Sequence, residues 1–361
     1  MKKTLAALIV SAVAASAANA AVVYDNEGTK VDFNGSLRLV LEKANNEGYN
    51  NSHTHSGLRN AGSRVAVKVT HDLGDDFYAL GRFELRFDGK KSSQDGFGDV
   101  YVKRAYAGLG NKQYGELTFG RQLLIADDLS TAEDYEYGIL NKGDYIPTAA
   151  NSAIRYDYRG VKDLQLGASY QFADSRNLGK AGDNEVKVGA ISNGYQVGAI
   201  YNGKWDDVNG IIAKFGYGRT TYKTDLSSTA ATKKHQDGLL ASLGYVFNDF
   251  IVSVDGGYAR ERHNQGVNDV KRYFVSPGFI VPVIADKSKV YGNYKYEQEK
   301  QGSEKSKTHG FLLGVDYKLH KQVVLFLEGK YVVTKDYNNG TYVADSKQKD
   351  KAIGVGMRVY F

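Results

Sequence analysis

The densest chemistry in the sequence lies at residues 122–150, QLLIADDLSTAEDYEYGILNKGDYIPTAA. This stretch sets Asp127, Asp128, Glu133, Asp134, Glu136 and Asp144 against a single Lys142. It also carries Leu123, Leu124, Ile125, Ile139, Leu140 and Ile146, apolar residues that a freely solvated loop does not need. Elsewhere cations alternate with apolar residues: Arg38, Arg64, Lys68, Arg82, Arg86, and Lys103 or Arg104. Carboxylates on a loop facing cations on a wall across water create a transverse field, which orients polar solutes and biases ion passage. The competing reading of 122–150 is an external loop with a solvated acidic face.

No other cluster carries reaction chemistry. His53-x-His55 has no cysteine beside it and reads as solvated loop rather than metal site. Neither a GxSxG elbow nor a Walker-type loop is present. Glu297-Gln298-Glu299-Lys300 and Lys347–Lys351 read as solvated charge runs, and the single Trp205 as an interfacial anchor.

The elements that must hold these groups are strands. In 36–42, Ser36, Arg38, Val40 and Glu42 interleave with Leu37, Leu39 and Leu41. In 64–70, Arg64, Ala66, Lys68 and Thr70 interleave with Val65, Val67 and Val69. In 77–88, Phe83, Leu85 and Phe87 oppose Arg82, Glu84, Arg86 and Asp88, and 352–361 alternates likewise. A period of two puts the apolar side chains of each strand on one face. Strands of about 9–11 residues with this pattern suit a membrane-spanning barrel. A soluble sandwich has the same periodicity but hides the apolar face in a dry core. Tyrosines and phenylalanines recurring at strand ends favour the membrane.

Connection lengths alternate as well. The expected short ones are Asp72–Asp76, Asn111–Gln113, Gly160–Asp163, Gly203–Asn209, Asn248–Asp249, Val283–Asp286 and His320–Lys321. The expected long ones are 43–61, 88–98, 122–150, 173–185, 223–235, 262–269, 299–307 and 336–350. Tight turns at one rim and long loops at the other imply an up-and-down, all-β, antiparallel transmembrane barrel of ~16 strands. Segments 186–192 and 195–202 both resemble strands around Asn193-Gly194. An even strand count leaves room for only one crossing there. A barrel of this size encloses an aqueous channel.

Composition sets the compartment. Of 361 residues none is Cys and three are Pro, while 41 are Gly and 27 Tyr, which excludes disulfide, zinc-thiolate and Pro-rich designs. Lys2-Lys3, the apolar run Leu5–Ala15 and Ala18-Asn19-Ala20 have the order of a cleaved export signal, so 1–20 is expected to be removed and 21–361 to form the barrel. The net charge of +6 then falls by the two charges of Lys2 and Lys3, too little and too evenly spread for a nucleic-acid binder.

Four segments resemble the general diffusion porins of Gram-negative outer membranes: AVVYDNEGTKVDFNGSLRL, RAYAGLGNKQYGELTFGRQ, EDYEYG and the terminal MRVYF. The resemblance implies a homotrimer of sixteen-stranded barrels with the third loop folded inside as a constriction. Acidic constriction residues would fall near Glu133, Asp134 and Glu136, with Tyr135-Glu136-Tyr137-Gly138 similar to the family's Pro-Glu-Phe-Gly but lacking its proline, and Asp127 joins them from the loop's own acidic composition. The basic cluster would fall on Arg64 and on Lys103 or Arg104, with Arg38 replacing a lysine that some members carry near position 36. Arg82, Arg86 and Lys68 join it by strand parity. Phe361 resembles the terminal aromatic read by the barrel-assembly machinery.

The expectation is an outer-membrane channel for passive diffusion of small hydrophilic solutes and ions, without cofactor or metal, in contact with outer-membrane lipid and lipopolysaccharide. A substrate-specific sugar channel is the alternative, and would need an aromatic slide along the lumen. An enzyme on a barrel would need a carboxylate–His or Ser set at the loop rim, and none is visible.

Overall fold

The computed structural model describes residues 21–47, 52–91, 96–173, 191–223, 233–264 and 266–361. Its strands are β1 (Ala21–Asn26), β2 (Thr29–Glu47), β3 (Ser52–Gly74), β4 (Phe77–Asp88), β5 (Val100–Asn111), β6 (Gly115–Leu123), β7 (Ala149–Val161), β8 (Leu164–Gln171) and β9 (Ile191–Lys204). They continue with β10 (Asn209–Tyr222), β11 (Lys233–Phe247), β12 (Phe250–His263), β13 (Val270–Ile284), β14 (Ser288–Gln301), β15 (Glu304–His320), β16 (Val323–Asn338), the two-residue β17 (Thr341–Tyr342) and β18 (Gln348–Tyr360). Each of β2–β16 pairs antiparallel with the next, and β18 pairs with both β16 and β2, so sixteen staves close a ring.

The closing seam joins the two ends of the chain. β18 pairs with Ser36–Glu47 of β2, and β1 pairs with Thr29–Phe33 of the same strand. β1 and β18 thus lie end to end as one composite stave. Where they meet, the Gly35 N–H donates to the Phe361 carbonyl (2.8 Å) and the Phe361 N–H donates to the Gly35 carbonyl (3.1 Å). Closure leaves no unpaired edge, which hydrocarbon demands.

Leu243 and Leu313 are each 59% exposed on the outside of the wall, whereas Asp255, Glu84 and Glu328 point inward and are at most 1% exposed. The apolar face therefore looks outward, and a soluble sandwich with a dry apolar core is excluded. Tight turns gather at one rim. Asp75 and Asp76 both adopt positive φ (50° and 64°), the conformation a two-residue hairpin takes to match strand twist. The turn between β9 and β10 is held by Asp206, which accepts from the Val208 N–H and from the N–H and side-chain amide of Asn209.

Two long connections expected from the sequence are largely strand. β2 and β3 run through most of 43–61, and β14 and β15 run through 299–307, leaving only Gly302 and Ser303 as a turn. These strands rise past the hydrocarbon into water. There both faces are wet, apolar alternation stops, and the ladder continues without it. For the same reason many strands exceed 9–11 residues: β3 has 23 and β15 has 17. In 186–202 the single crossing is β9, with Asn193-Gly194 inside it rather than at a turn; residues 186–190 lie outside the described residues. His53 and His55 lie on β3, but their side chains are outside the described residues.

Candidate functional site

The segment between β6 and β7 turns into the barrel and runs along its inner wall. Its apolar residues are what hold it there. Ile125, Leu129, Tyr145 and Ile146 pack with Ile200, Leu240, Ala259 and Phe274 on β9, β11, β12 and β13. Tyr137 and Ile139 pack with Tyr291, Leu312 and Ala352 on β14, β15 and β18. Each aliphatic side chain so buried contributes about 1.5–3 kcal/mol. The Tyr135 ring stacks on Phe326 at 4.8 Å, which adds about 0.5–1.5 kcal/mol.

Two buried wall carboxylates fix the loop's backbone. Glu328 on β16 accepts the amides of Tyr135 (2.6 Å), Glu136 (2.8 Å) and Tyr137, and also the Tyr291 hydroxyl (2.7 Å). Asp255 on β12 accepts the amides of Thr131 (2.9 Å) and Ala132 (2.9 Å) and the Ser130 hydroxyl (3.3 Å). A carboxylate that accepts several N–H groups is a strong, directional anchor.

The wall under the loop is cut away to receive it. A Cβ on Gly238 would stand 2.0 Å from the Tyr145 carbonyl oxygen, and one on Gly216 would stand 2.2 Å from Leu129. Neither glycine has a positive φ, so both serve close approach rather than backbone freedom.

The loop's polar contacts run from β7 round through β16 to β2 and the upper part of β3. The stretch β3–β5 instead carries a cationic cluster. Glu84, fully buried, receives Arg86 (2.6 Å), Arg82 (3.1 Å) and Arg104 (3.3 Å). Arg64 stands directly opposite Arg86 in the ladder, and Lys68 opposite Arg82. The Nε atoms of Arg64, Arg82 and Arg104 make no hydrogen bond, although Arg104 Nε faces Glu84 as an ion pair. Of the pair Lys103 or Arg104, Arg104 lies opposite Glu84, and Lys103 falls at the bulge that follows.

The acidic residues of the loop differ among themselves. Glu136 does not stand free in the lumen: its side chain, only 4% exposed, is clamped by Arg59 (2.6 Å), Lys90 (2.7 Å) and Arg38 (3.3 Å). Glu133 is held by Lys289, and Asp128 lies 3.8 Å from Arg155. Asp134 is exposed and Asp127 partly so. Arg38 also donates to the Tyr135 and Ala61 carbonyls, so it tethers the loop tip to the wall.

Arg59, Lys90, Glu42, Asp255 and Glu328 escaped sequence reasoning. Arg59 fell in a stretch read as loop. Glu42 and Glu328 carry the same alternation as every lumen-facing polar residue, with nothing local to show that their partners lie across the barrel. Conversely, the aromatics that could have made a sugar slide are used in packing: Tyr137, Tyr145, Tyr291, Phe274 and Phe326 are buried between loop and wall.

A closed barrel with an apolar outer wall, a charged lumen and a loop lodged across its interior defines a membrane channel. The Gram-negative porin family model matches residues 4–337, and the chain belongs to that family. It is 33% identical to a major outer membrane protein of Pasteurella multocida (strain Pm70), with both chains matched over their full length. Among solved structures, OmpT of Vibrio cholerae superposes with a TM-score of 0.69 at 20% identity, covering 94% of this chain and 99% of that one. An anion-selective porin from Comamonas acidovorans superposes with a TM-score of 0.65 at 19% identity, covering 92% and 100%. The protein is an outer-membrane porin of the general diffusion type.

Proposed function

We propose that small hydrophilic solutes and ions cross between the inner loop and the β3–β5 wall, and that this passage favours anions. The carrying observation is the imbalance at Glu84, where Arg82, Arg86 and Arg104 share one carboxylate with Arg64 beside them. Across the opening, Glu133, Glu136 and Asp128 each face cations of their own, which leaves Asp127, Asp134 and Asp144 as the loop's contribution. A patch of excess positive charge on one wall of the passage raises local anion concentration. The likeness to an anion-selective porin supports the same sign.

The test is the reversal potential of single channels in a planar bilayer under a tenfold KCl gradient, where ideal selectivity gives about 59 mV. A potential on the chloride side is expected, and Arg64→Gln with Arg82→Gln should move it toward cations. A cation-selective parent channel, or a double variant with an unchanged potential, overturns the reading.

The same reading includes removal of residues 1–20. It also includes a homotrimer contacting lipid and lipopolysaccharide, with Phe361 as the residue recognised during assembly. Phe361 stacks on Phe33 at 6.1 Å and is 37% exposed on the finished barrel. Loss of the Phe361 ring should therefore lower the amount assembled in cells more than it lowers the stability of barrels refolded in detergent.

A further inference from the structure

The inner face of β18 is bare beside the loop tip and then carries an arginine. A Cβ on Gly354 would stand 2.3 Å from the Tyr137 hydroxyl of the loop, and one on Gly356 would stand 2.1 Å from the Phe326 ring of β16. Tyr135 stacks on that same Phe326. Strand alternation puts Arg358 on the same face, two residues further on. It is the first side chain that β18 sends into the lumen past the loop tip.

Its guanidinium is placed from two sides. Arg358 Nε donates to the Ser36 hydroxyl on β2 (3.1 Å), and Cζ lies 4.6 Å from the centre of the Tyr360 ring. A flat cation held in this way aims its remaining N–H groups in a fixed direction. Among the described residues those groups meet no protein acceptor. In the ladder Arg358 stands opposite Arg38, and Ser36 stands opposite Arg64. Ser36, itself buried, is thus the neighbour of both Arg358 and Arg64.

These two arginines differ from the rest of the wall in what they hold. Arg82, Arg86 and Arg104 are engaged with Glu84. Arg38, the cation expected here from the sequence, is engaged with Glu136 and with the Tyr135 and Ala61 carbonyls. Among the described residues neither Arg64 nor Arg358 has a carboxylate partner. A guanidinium whose donors are already bonded attracts an anion through its field alone. One with free donors can also bond the anion, and its planar fork fits two oxygens of a carboxylate or similar oxyanion.

We propose that Arg358, with Arg64 on the other side of Ser36, is the residue that touches anions in transit, and that its fork favours carboxylates over chloride. The proposal rests on the anion-selective passage argued above and assigns its point of contact. An anion lodged there relieves two cations that have no counter-charge of their own. Ser36 and Tyr360 keep the fork aimed while the site is empty.

The test is the reversal potential of single channels of the full chain, under tenfold gradients of KCl and of potassium acetate. Only folded, inserted channels are read. Arg358→Gln should lower the chloride-to-potassium permeability ratio about fivefold, the factor for one unit charge about 4 Å from an ion in water. The acetate-to-potassium ratio should fall further. Arg358→Lys keeps the charge but loses the fork, so the chloride ratio should stay near the parent's while the acetate ratio drops. Arg64→Gln combined with Arg358→Gln should fall short of the product of the two single effects, because both groups hold one ion. Lys112→Gln removes an equal charge at the β5–β6 turn, where the side chain is 74% exposed, and should change neither ratio. A cation-selective parent overturns the selectivity reading and this proposal with it. An anion-selective parent whose ratios survive Arg358→Gln overturns this proposal alone. So does a Lys112→Gln shift as large as that of Arg358→Gln, which would make net charge sufficient. An Arg358→Lys channel with the parent's acetate ratio, or a double variant equal to the product, also overturns it.

Discussion

Glu328 and Tyr135 lie 193 residues apart in the chain, yet the Tyr135 amide donates to the Glu328 carboxylate at 2.6 Å inside the barrel. With the Glu136 and Tyr137 amides on the same carboxylate, this contact decides where the loop tip stands and so how wide the passage is. Glu328→Gln keeps the shape but removes the charge and turns an NH2 toward at least one N–H donor. A lost charge-assisted hydrogen bond costs about 1.5–3 kcal/mol, enough to release the tip without unfolding a closed barrel. The expected result is a channel with frequent transitions among several conductance levels. A single steady level equal to the parent's would show that the apolar contacts alone hold the tip.

The wall glycines make a separable prediction. A side chain at Gly238 would meet the Tyr145 backbone oxygen, which cannot rotate away as a flexible side chain could. Gly238→Val should therefore push the return limb of the loop off β11 and lower stability by about 1–3 kcal/mol. Gly256 is the control, since its nearest neighbour would be the Phe274 carbonyl at 3.6 Å. Gly256→Ala should leave both the thermal midpoint and the conductance of the parent unchanged.

How far the sequence could be read depended on which solvents each residue faces. Within hydrocarbon, one face of each strand meets lipid and the other meets water, so Leu37, Leu39 and Leu41 against Arg38, Val40 and Glu42 were enough to show a strand. Above the hydrocarbon both faces are wet, and β14–β15 around 299–307 carried no alternation although their ladder is unbroken from Val290–Val315 to Gln301–Glu304. The inward loop was legible from the surplus of Ile125, Ile139 and Ile146 in an acidic segment. The separate fates of its carboxylates were not. Glu136 and Asp134 are alike in sequence, but only the folded barrel brings Arg59, Arg38 and Lys90 to Glu136.

At the turn rim the Asp206 carboxyl is held below the usual carboxylate range, chiefly by the side-chain amide of Asn209, then by the Asn209 and Val208 N–H groups. A lowered folded-state pKa means that the stabilisation is present above the unfolded value of about 3.9 and is lost as pH falls through the folded one. Asp206→Asn should therefore unfold more easily than the parent in denaturant at neutral pH, and the gap should close under acid conditions. A gap that persisted in acid would mean that shape rather than charge holds the turn.

Glu84 tests the electrostatic design from the side of the lone anion. It is fully buried, and three guanidiniums bond to it while Arg64 adds its field. Glu84→Gln leaves four cations facing one another without a counter-charge, and breaking a buried ion pair from one side costs about 3–5 kcal/mol. Two outcomes are expected together. The thermal midpoint falls, and at low salt it falls further, because the guanidiniums repel more strongly when unscreened. In bilayers the surviving channels become more anion-selective than the parent, opposite in sign to the shift expected for Arg64→Gln with Arg82→Gln. If the Glu84 variant instead moved toward cations, the guanidiniums would be turning away from the passage once released, and Glu84 would act by aiming them rather than by offsetting their charge.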